Sequence, residues 1–170
     1  SETILTPHSG TASFGGGLFA PDGRSIYCSS DDGRDLAAFA RISLLPDGAP
    51  GPIELLAARD DAELESIALS HDGTTAALVW NVAGRSELEF YDPLTGKLTA
   101  GPQLPVELII GLTFSEDGRR LALSTSGAAG TTPLSVTTPL STATSISADG
   151  DFTSVFTFDW TCAAIDESLR

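Results

Sequence analysis

The only imidazole and thiol groups in the chain belong to His8, His71, Cys28 and Cys162. They limit the chemistry on offer. A hydrolase of the nucleophile-elbow type needs Gly-x-Ser-x-Gly at a strained strand-to-helix turn, followed by an acid and then a histidine. The nearest approach is Gly84-Arg85-Ser86-Glu87-Leu88, which lacks the closing glycine, and no histidine follows residue 71. A triad in that chain order is excluded, although triads on other folds run in other orders. His71 falls in a hairpin turn and His8 in a linker, and neither reads as catalytic. Gly15-Gly16-Gly17 is similar to a glycine-rich oxyanion loop, but Phe14 precedes it where that loop has histidine. Glycines at a strand start read instead as a place where backbones come close. Gly96-Lys97 fails as a phosphate loop, because the upstream glycine is missing and Leu98 stands where Ser or Thr is needed.

Carboxylates are plentiful. Asp31, Asp32 and Asp35 form one cluster, and Asp60, Asp61 and Glu63 another. Calcium takes about six to eight oxygen ligands, and neither cluster has EF-hand spacing, so both read as solvated loops. The chain carries Ser-x-Asp-Gly, not the Ser-x-Asp-x-Gly of a sialidase Asp box. Trp80 and Trp160 each end a strand and read as packing. Cys28 lies in an apolar alternation and reads as a small buried hydrophobe. Two distant cysteines do not make a disulfide framework. The sequence therefore assigns no catalytic, cofactor-binding or metal-ligating residue, and no cofactor.

The elements that carry these residues repeat. Leu18-Phe19-Ala20-Pro21-Asp22-Gly23-Arg24, Leu69-Ser70-His71-Asp72-Gly73-Thr74 and Phe114-Ser115-Glu116-Asp117-Gly118-Arg119 are three copies of one unit. Ser147-Ala148-Asp149-Gly150 is a weaker fourth. The Asp-Gly pairs lie 50, 45 and 32 residues apart. Asp-Gly between two alternating apolar runs marks a hairpin. Ile26/Cys28, Ala76/Leu78/Trp80 and Leu121/Leu123 then alternate with period two, as strands do. Residues 36–44 and 87–91 read as third strands. Pro46-Asp47-Gly48 and Asp92-Pro93-Leu94-Thr95-Gly96-Lys97 read as turns into fourth strands. Four short strands at this period make a propeller blade.

The reading is all-β: a partial β-propeller of about three four-stranded antiparallel blades in one domain over residues 1–170. Blade one spans about 11–60, blade two about 61–105, blade three and an irregular end about 106–160, and a tail 161–170. Residues 3–6 read as the outer strand of a previous blade, so that the chain is cut from a larger ring or closes one with strands from both ends. The Thr/Ser/Pro-rich stretch 131–140 breaks the pattern, whereas residues 152–160 alternate again.

These units resemble the propeller repeats of the prolyl oligopeptidase superfamily, especially its acylaminoacyl-peptidase branch, and of TolB-like propellers. The residues that carry the resemblance are Phe19-Ala20-Pro21-Asp22-Gly23-Arg24, Leu69-Ser70-His71-Asp72-Gly73 and Phe114-Ser115-Glu116-Asp117-Gly118-Arg119-Arg120. Tyr91-Asp92-Pro93-Leu94-Thr95-Gly96-Lys97 and the linker Leu5-Thr6-Pro7-His8-Ser9-Gly10 add to them. The resemblance covers about residues 1–125. It implies a propeller that caps a separate C-terminal hydrolase domain and screens substrates by size. The triad belongs to that domain, which 170 residues of repeats do not contain. Rings of this kind have about seven or eight blades, so the chain is expected to hold about half of one.

Composition narrows the partners. The net charge is −14, from 23 acidic and 9 basic residues, which argues against nucleic acid and anionic membranes. It leaves room for a cationic ligand. No apolar run approaches the ~20 residues of a membrane span. The expected location is cytoplasmic, or periplasmic or secreted if a signal peptide precedes residue 1. A half ring exposes apolar faces and open strand edges, and two arcs related by a two-fold axis would cover them. The expected partners are thus a second copy, in a homodimer, and a peptide or protein ligand. The alternatives are a TolB-like propeller that binds a protein or small solute, and a metal-dependent or cryptic hydrolase, which these residues disfavour.

Overall fold

The computed structural model describes residues 2–104, 107–126, 136–138, 141–147 and 154–159. The first sheet is the meander β1 (Phe14–Phe19), β2 (Ser25–Ser30), β3 (Ala38–Leu44) and β4 (Pro50–Ala57). The second repeats it with β5 (Glu63–Leu69), β6 (Ala76–Val82), β7 (Arg85–Asp92) and β8 (Lys97–Ala100). The third begins alike, with β9 (Leu108–Phe114) and β10 (Arg120–Ser126). It then departs: β11 (Val136–Thr138), β12 (Ser141–Ser147) and β13 (Ser154–Asp159) follow in the spatial order β9-β10-β13-β12-β11. The last strand in sequence thus takes the place beside β10, with Arg120 paired to Asp159 and Thr125 to Ser154. All pairs are antiparallel. No helix among the described residues is long and apolar enough to cross a membrane. The architecture is a partial β-propeller.

The Asp-Gly hairpins share one geometry. The amide of Gly23 donates to the carbonyl of Ala20, that of Gly73 to Ser70 and that of Gly118 to Ser115, at 2.8–2.9 Å. Each glycine is left-handed, with φ near +70°, so a β-turn is followed by the residue that only glycine adopts without strain. The aspartate oxygen one residue before accepts the amide one residue after it: Arg24 at 2.9 Å, Thr74 at 3.0 Å and Arg119 at 3.0 Å. In the second and third copies a serine completes the turn. Ser70 and Ser115 donate their hydroxyls to Asp72 and Asp117 at 2.7 and 2.6 Å and accept the amides of Thr75 and Arg120. These serine hydroxyls, with the amides of Thr74 and Arg119, hold both carboxyls below the usual aspartate range.

Each innermost strand also carries a bulge. Between Gly15 and Leu18 two residues face one, and Glu65 and Ile110 are the extra residues of β5 and β9. In β1 the extra backbone needs Gly16 at φ +65°, and a Cβ at Gly15 would stand 3.0 Å from Ser29 Oγ. The glycine run therefore serves the bulge and the close approach to β2.

Two apolar joints hold the blades together. Tyr27 and Phe39 of the first sheet pack with Leu64, Ala76, Leu78, Trp80 and Tyr91 of the second. Phe39 stacks on Tyr27 at 5.5 Å and meets Tyr91 edge-on at 5.3 Å. On the other side of the second sheet, Ala77, Val79, Leu88 and Phe90 pack with Ile109, Leu121 and Leu123. Period two alone puts Ala76, Leu78 and Trp80 on one face and Ala77 and Val79 on the other.

Two features of the N-terminal edge differ from the sequence reading. Residues 3–6 are not in a strand. The side of blade one that faces away from blade two is only partly bare. Phe19 is 65% exposed, whereas Cys28, Ala38, Ala40 and Ile42 are at most 4% exposed. Burial raises the Cys28 thiol above its ordinary range, consistent with a packed, unreactive group.

Candidate functional site

Because the strands alternate in direction, the loops fall at two ends of the arc. The Asp-Gly turns occupy one end. The other, the link end, collects the β2–β3 loop, the links between sheets and the β6–β7 turn. Most of the charged side-chain contacts gather at this link end.

Arg59, in the link between β4 and β5, is the hub. Its Nε and Nη2 donate to the two oxygens of Asp61, both at 3.0 Å, and its Nη1 donates to Glu87 Oε2 at 2.6 Å. The guanidinium lies 5.9 Å from the ring centre of Trp80, a cation–π distance. The Arg59 carbonyl accepts Arg34 Nη2 at 2.9 Å, and Arg34 Nε reaches the Leu36 carbonyl at 2.8 Å. One arginine thus ties the link to β7, and a second ties the β2–β3 loop to the link. The Asp61 hydrogen bonds raise Arg59 above its ordinary value and in return hold the Asp61 carboxyl down. Nearby, Asn81 Nδ2 donates to Glu65 Oε1 at 2.6 Å while Asn81 Oδ1 accepts the Gly84 amide at 2.7 Å. That contact shapes the two-residue turn Ala83-Gly84, in which both residues have positive φ.

An open groove of about 360 Å³ lies beside the hub, along residues 85–89 and 100–104. It exists because β8 pairs only with the second half of β7, from Glu89 to Asp92. Gly101 closes the pairing by donating to the Leu88 carbonyl at 2.8 Å. A Cβ at Gly101 would stand 2.5 Å from that oxygen. Trp80 Nε1, Arg41 Nε and Glu89 Oε2 are buried without a hydrogen-bond partner among the described residues.

The residues weighed for catalysis are dispersed. Ser86 lies within β7, where its Oγ accepts the Ile109 amide at 2.9 Å, so it is not on a strained elbow. His8 Nδ1 contacts the Thr6 carbonyl at 2.8 Å and its ring lies 5.0 Å from Phe14. His71 is in the β5–β6 turn, at the Asp-Gly end. Gly96 closes a turn capped by Asp92, whose Oδ1 accepts the amides of Leu94 and Thr95, and the amides there point at Asp92. Asp31 is engaged with the Ser13 amide at 2.5 Å. Among the described residues no three His, Cys, Asp or Glu side chains converge as a metal site would require. Cys162 and Trp160 lie outside the described residues.

The sequence reading missed the Arg59 hub. Its signal is a single basic residue at the head of the acidic run Asp60-Asp61-Ala62-Glu63-Leu64-Glu65. Glu87, the second partner, is distant in sequence and comes into reach only when the two sheets pack.

No family model matches the sequence, and none of the curated proteins does. Solved structures share the fold. TolB from Acinetobacter baumannii superposes with a TM-score of 0.55 at 18% identity, over 91% of this chain and 34% of that one. A puromycin-hydrolysing peptidase of Mycobacterium tuberculosis gives 0.53 at 21% identity, over 68% of this chain and 18% of that one. A prolyl endopeptidase gives 0.51 at 23% identity, over 68% and 16%. The chain spans about a third of TolB's length and less than a fifth of either peptidase. At these identities the likeness establishes the propeller fold.

Proposed function

We propose that this chain is a non-catalytic propeller module that receives a basic peptide or protein segment at its link end. In this it resembles the substrate-screening cap of prolyl oligopeptidase-type peptidases, and it self-associates through its open blade edges. One observation carries the reading: the Arg59 and Asn81 contacts tie part of the link end's charges into a fixed frame. Arg59 spends its donors on Asp61 and Glu87, and Glu65 is held by Asn81. A reaction centre needs a nucleophile within reach of a base, and Ser86 is occupied by a backbone amide. What the link end presents is a fixed frame carrying more carboxylates than guanidinium groups, which attracts cationic groups.

The test has two arms. Titration calorimetry with an Arg/Lys-rich peptide should show binding that weakens from low to physiological salt. Chromogenic peptide and ester substrates should not be turned over above background, and turnover abolished by Ser86→Ala would sink the reading. Light scattering on a sizing column should give a mass near twice 17.6 kDa.

A second reading is a TolB-like propeller that binds a protein or small solute. It is supported by the TolB likeness, which holds over 91% of the chain. A stable co-purifying partner with no affinity for basic peptides would favour it.

A further inference from the structure

The Asp-Gly turns do more than close hairpins, because each sits on the next. Pro21 of blade one lies against the turn glycine of blade two, and its Cδ is 2.6 Å from where a Cβ on Gly73 would stand. Ser70 and Asp72 of blade two lie against the turn glycine of blade three, at 3.6 and 3.7 Å from the corresponding point on Gly118. At the first turn no such neighbour stands: among the described residues nothing lies within 4 Å of that point on Gly23.

Apolar surface near Gly23 is also bare. Phe19 is 65% exposed, whereas its repeat counterparts Leu69 and Phe114 are partly buried and packed into the two joints. At the opposite end the second-blade residues Ala77 and Val79 are fully buried, and their third-blade counterparts Ala122 and Ser124 are only half-buried.

The third blade ends in the piece that the first blade lacks. Ser115-Glu116-Asp117-Gly118 has the same hydrogen-bonded geometry as Ser70-His71-Asp72-Gly73, the turn already docked on Gly118. Charge agrees with shape. Arg24 follows Gly23 and is exposed, as are Glu116 and Asp117, and opposite charges across an interface steer and register docking.

Resting on the self-association proposed above, we infer that the occupant of the Gly23 corner is the Ser115–Gly118 turn of a second copy of this chain. Phe19 seats on Ala122 and Ser124 of that copy, and Glu116 faces Arg24. A two-fold axis along the ring makes the contact twice, so that a head-to-tail joint closes instead of propagating.

The test is absolute mass by light scattering across a dilution series, with circular dichroism to verify folding. Gly23→Asn keeps the turn, because asparagine tolerates positive φ, but fills the docking corner. It should convert a species near twice 17.6 kDa to the single-chain mass. Gly48→Asn is the control, at a left-handed turn glycine with φ +82° and open space around it, and should leave the mass unchanged. Arg24→Glu and Glu116→Arg should each weaken association by at least about tenfold, and the double reversal should restore it. A wild-type monomer would overturn the self-association reading and this joint together. A wild-type dimer indifferent to Gly23→Asn and to both charge reversals would overturn this joint alone.

Discussion

The two inter-blade joints are built on the same backbone and filled differently. The joint between blades one and two is aromatic: Tyr27, Phe39, Tyr91 and Trp80 meet there, with Arg59 over the indole. The joint between blades two and three is mostly aliphatic, with Phe90 as its one buried ring and Phe114 partly buried against it. At the turn end the first joint is the tighter. Pro21 reaches where a Gly73 side chain would go, whereas Ser70 and Asp72 leave ordinary van der Waals space at Gly118. A repeat thus fixes where blades touch and leaves open how strongly each contact is specified.

The largest effect that could break this contrast is at Trp80, which is fully buried. Trp80→Ala should lower stability by about 3–5 kcal/mol, as for other buried large-to-small changes, measured by urea denaturation. Because Trp80 Nε1 has no hydrogen-bond partner, Trp80→Phe loses volume but no hydrogen bond and should cost distinctly less. Equal costs would show that the joint is specific for the indole and does not merely use buried aromatic volume.

Glycine substitutions probe the turn ends. Gly73→Ala combines positive φ with a clash against Pro21 and should cost about 2–3 kcal/mol. Gly118→Ala carries the backbone cost alone, about 1–2 kcal/mol. Adding Pro21→Ala to Gly73→Ala should recover the difference, and its failure to do so would remove Pro21 as the cause.

Next in size is Asp72. Its folded pKa is lowered, first by the Ser70 hydroxyl and then by the Thr74 amide. Its stabilising contribution is therefore present above the unfolded aspartate pKa of about 4 and lost as pH falls through the folded value. Asp72→Asn should cost about 1 kcal/mol at pH 7, and the gap from wild type should close as the pH falls through the folded value. A gap of constant size would show that the carboxylate charge is not what the turn uses.

The smallest change calibrates the others. Ala83, the one non-glycine with positive φ among the described residues (φ 50°), belongs to neither joint. Ala83→Asn should raise stability by about 0.5–1 kcal/mol, which gives the backbone share of the two glycine costs. A loss of stability would show that Ala83 makes a packing contact that outweighs its strain.

Much of the fold was legible in local pattern. The turns at Asp22-Gly23, Asp72-Gly73 and Asp117-Gly118 are set by residues adjacent in the chain. So are the faces of β2, β6 and β10, because period-two alternation is a property of the strand itself. The reading weakened after Ser126, where β13 pairs with β10 across a long loop, since nothing local encodes that pairing. At residues 3–6 no strand forms, because a strand needs a partner as well as a propensity. Residues 161–170, read as a tail, lie outside the described residues.

The sequence by itself determined the all-β class, the hairpin chemistry and the absence of a nucleophile-elbow motif, since each depends on residues within a few positions of one another. Only the tertiary structure decided that Glu87 completes the Arg59 hub, that Pro21 rests on Gly73 and that Gly23 stands open. Those contacts join residues tens of positions apart, or expose the lack of one, and they exist only once neighbouring sheets have buried their apolar faces.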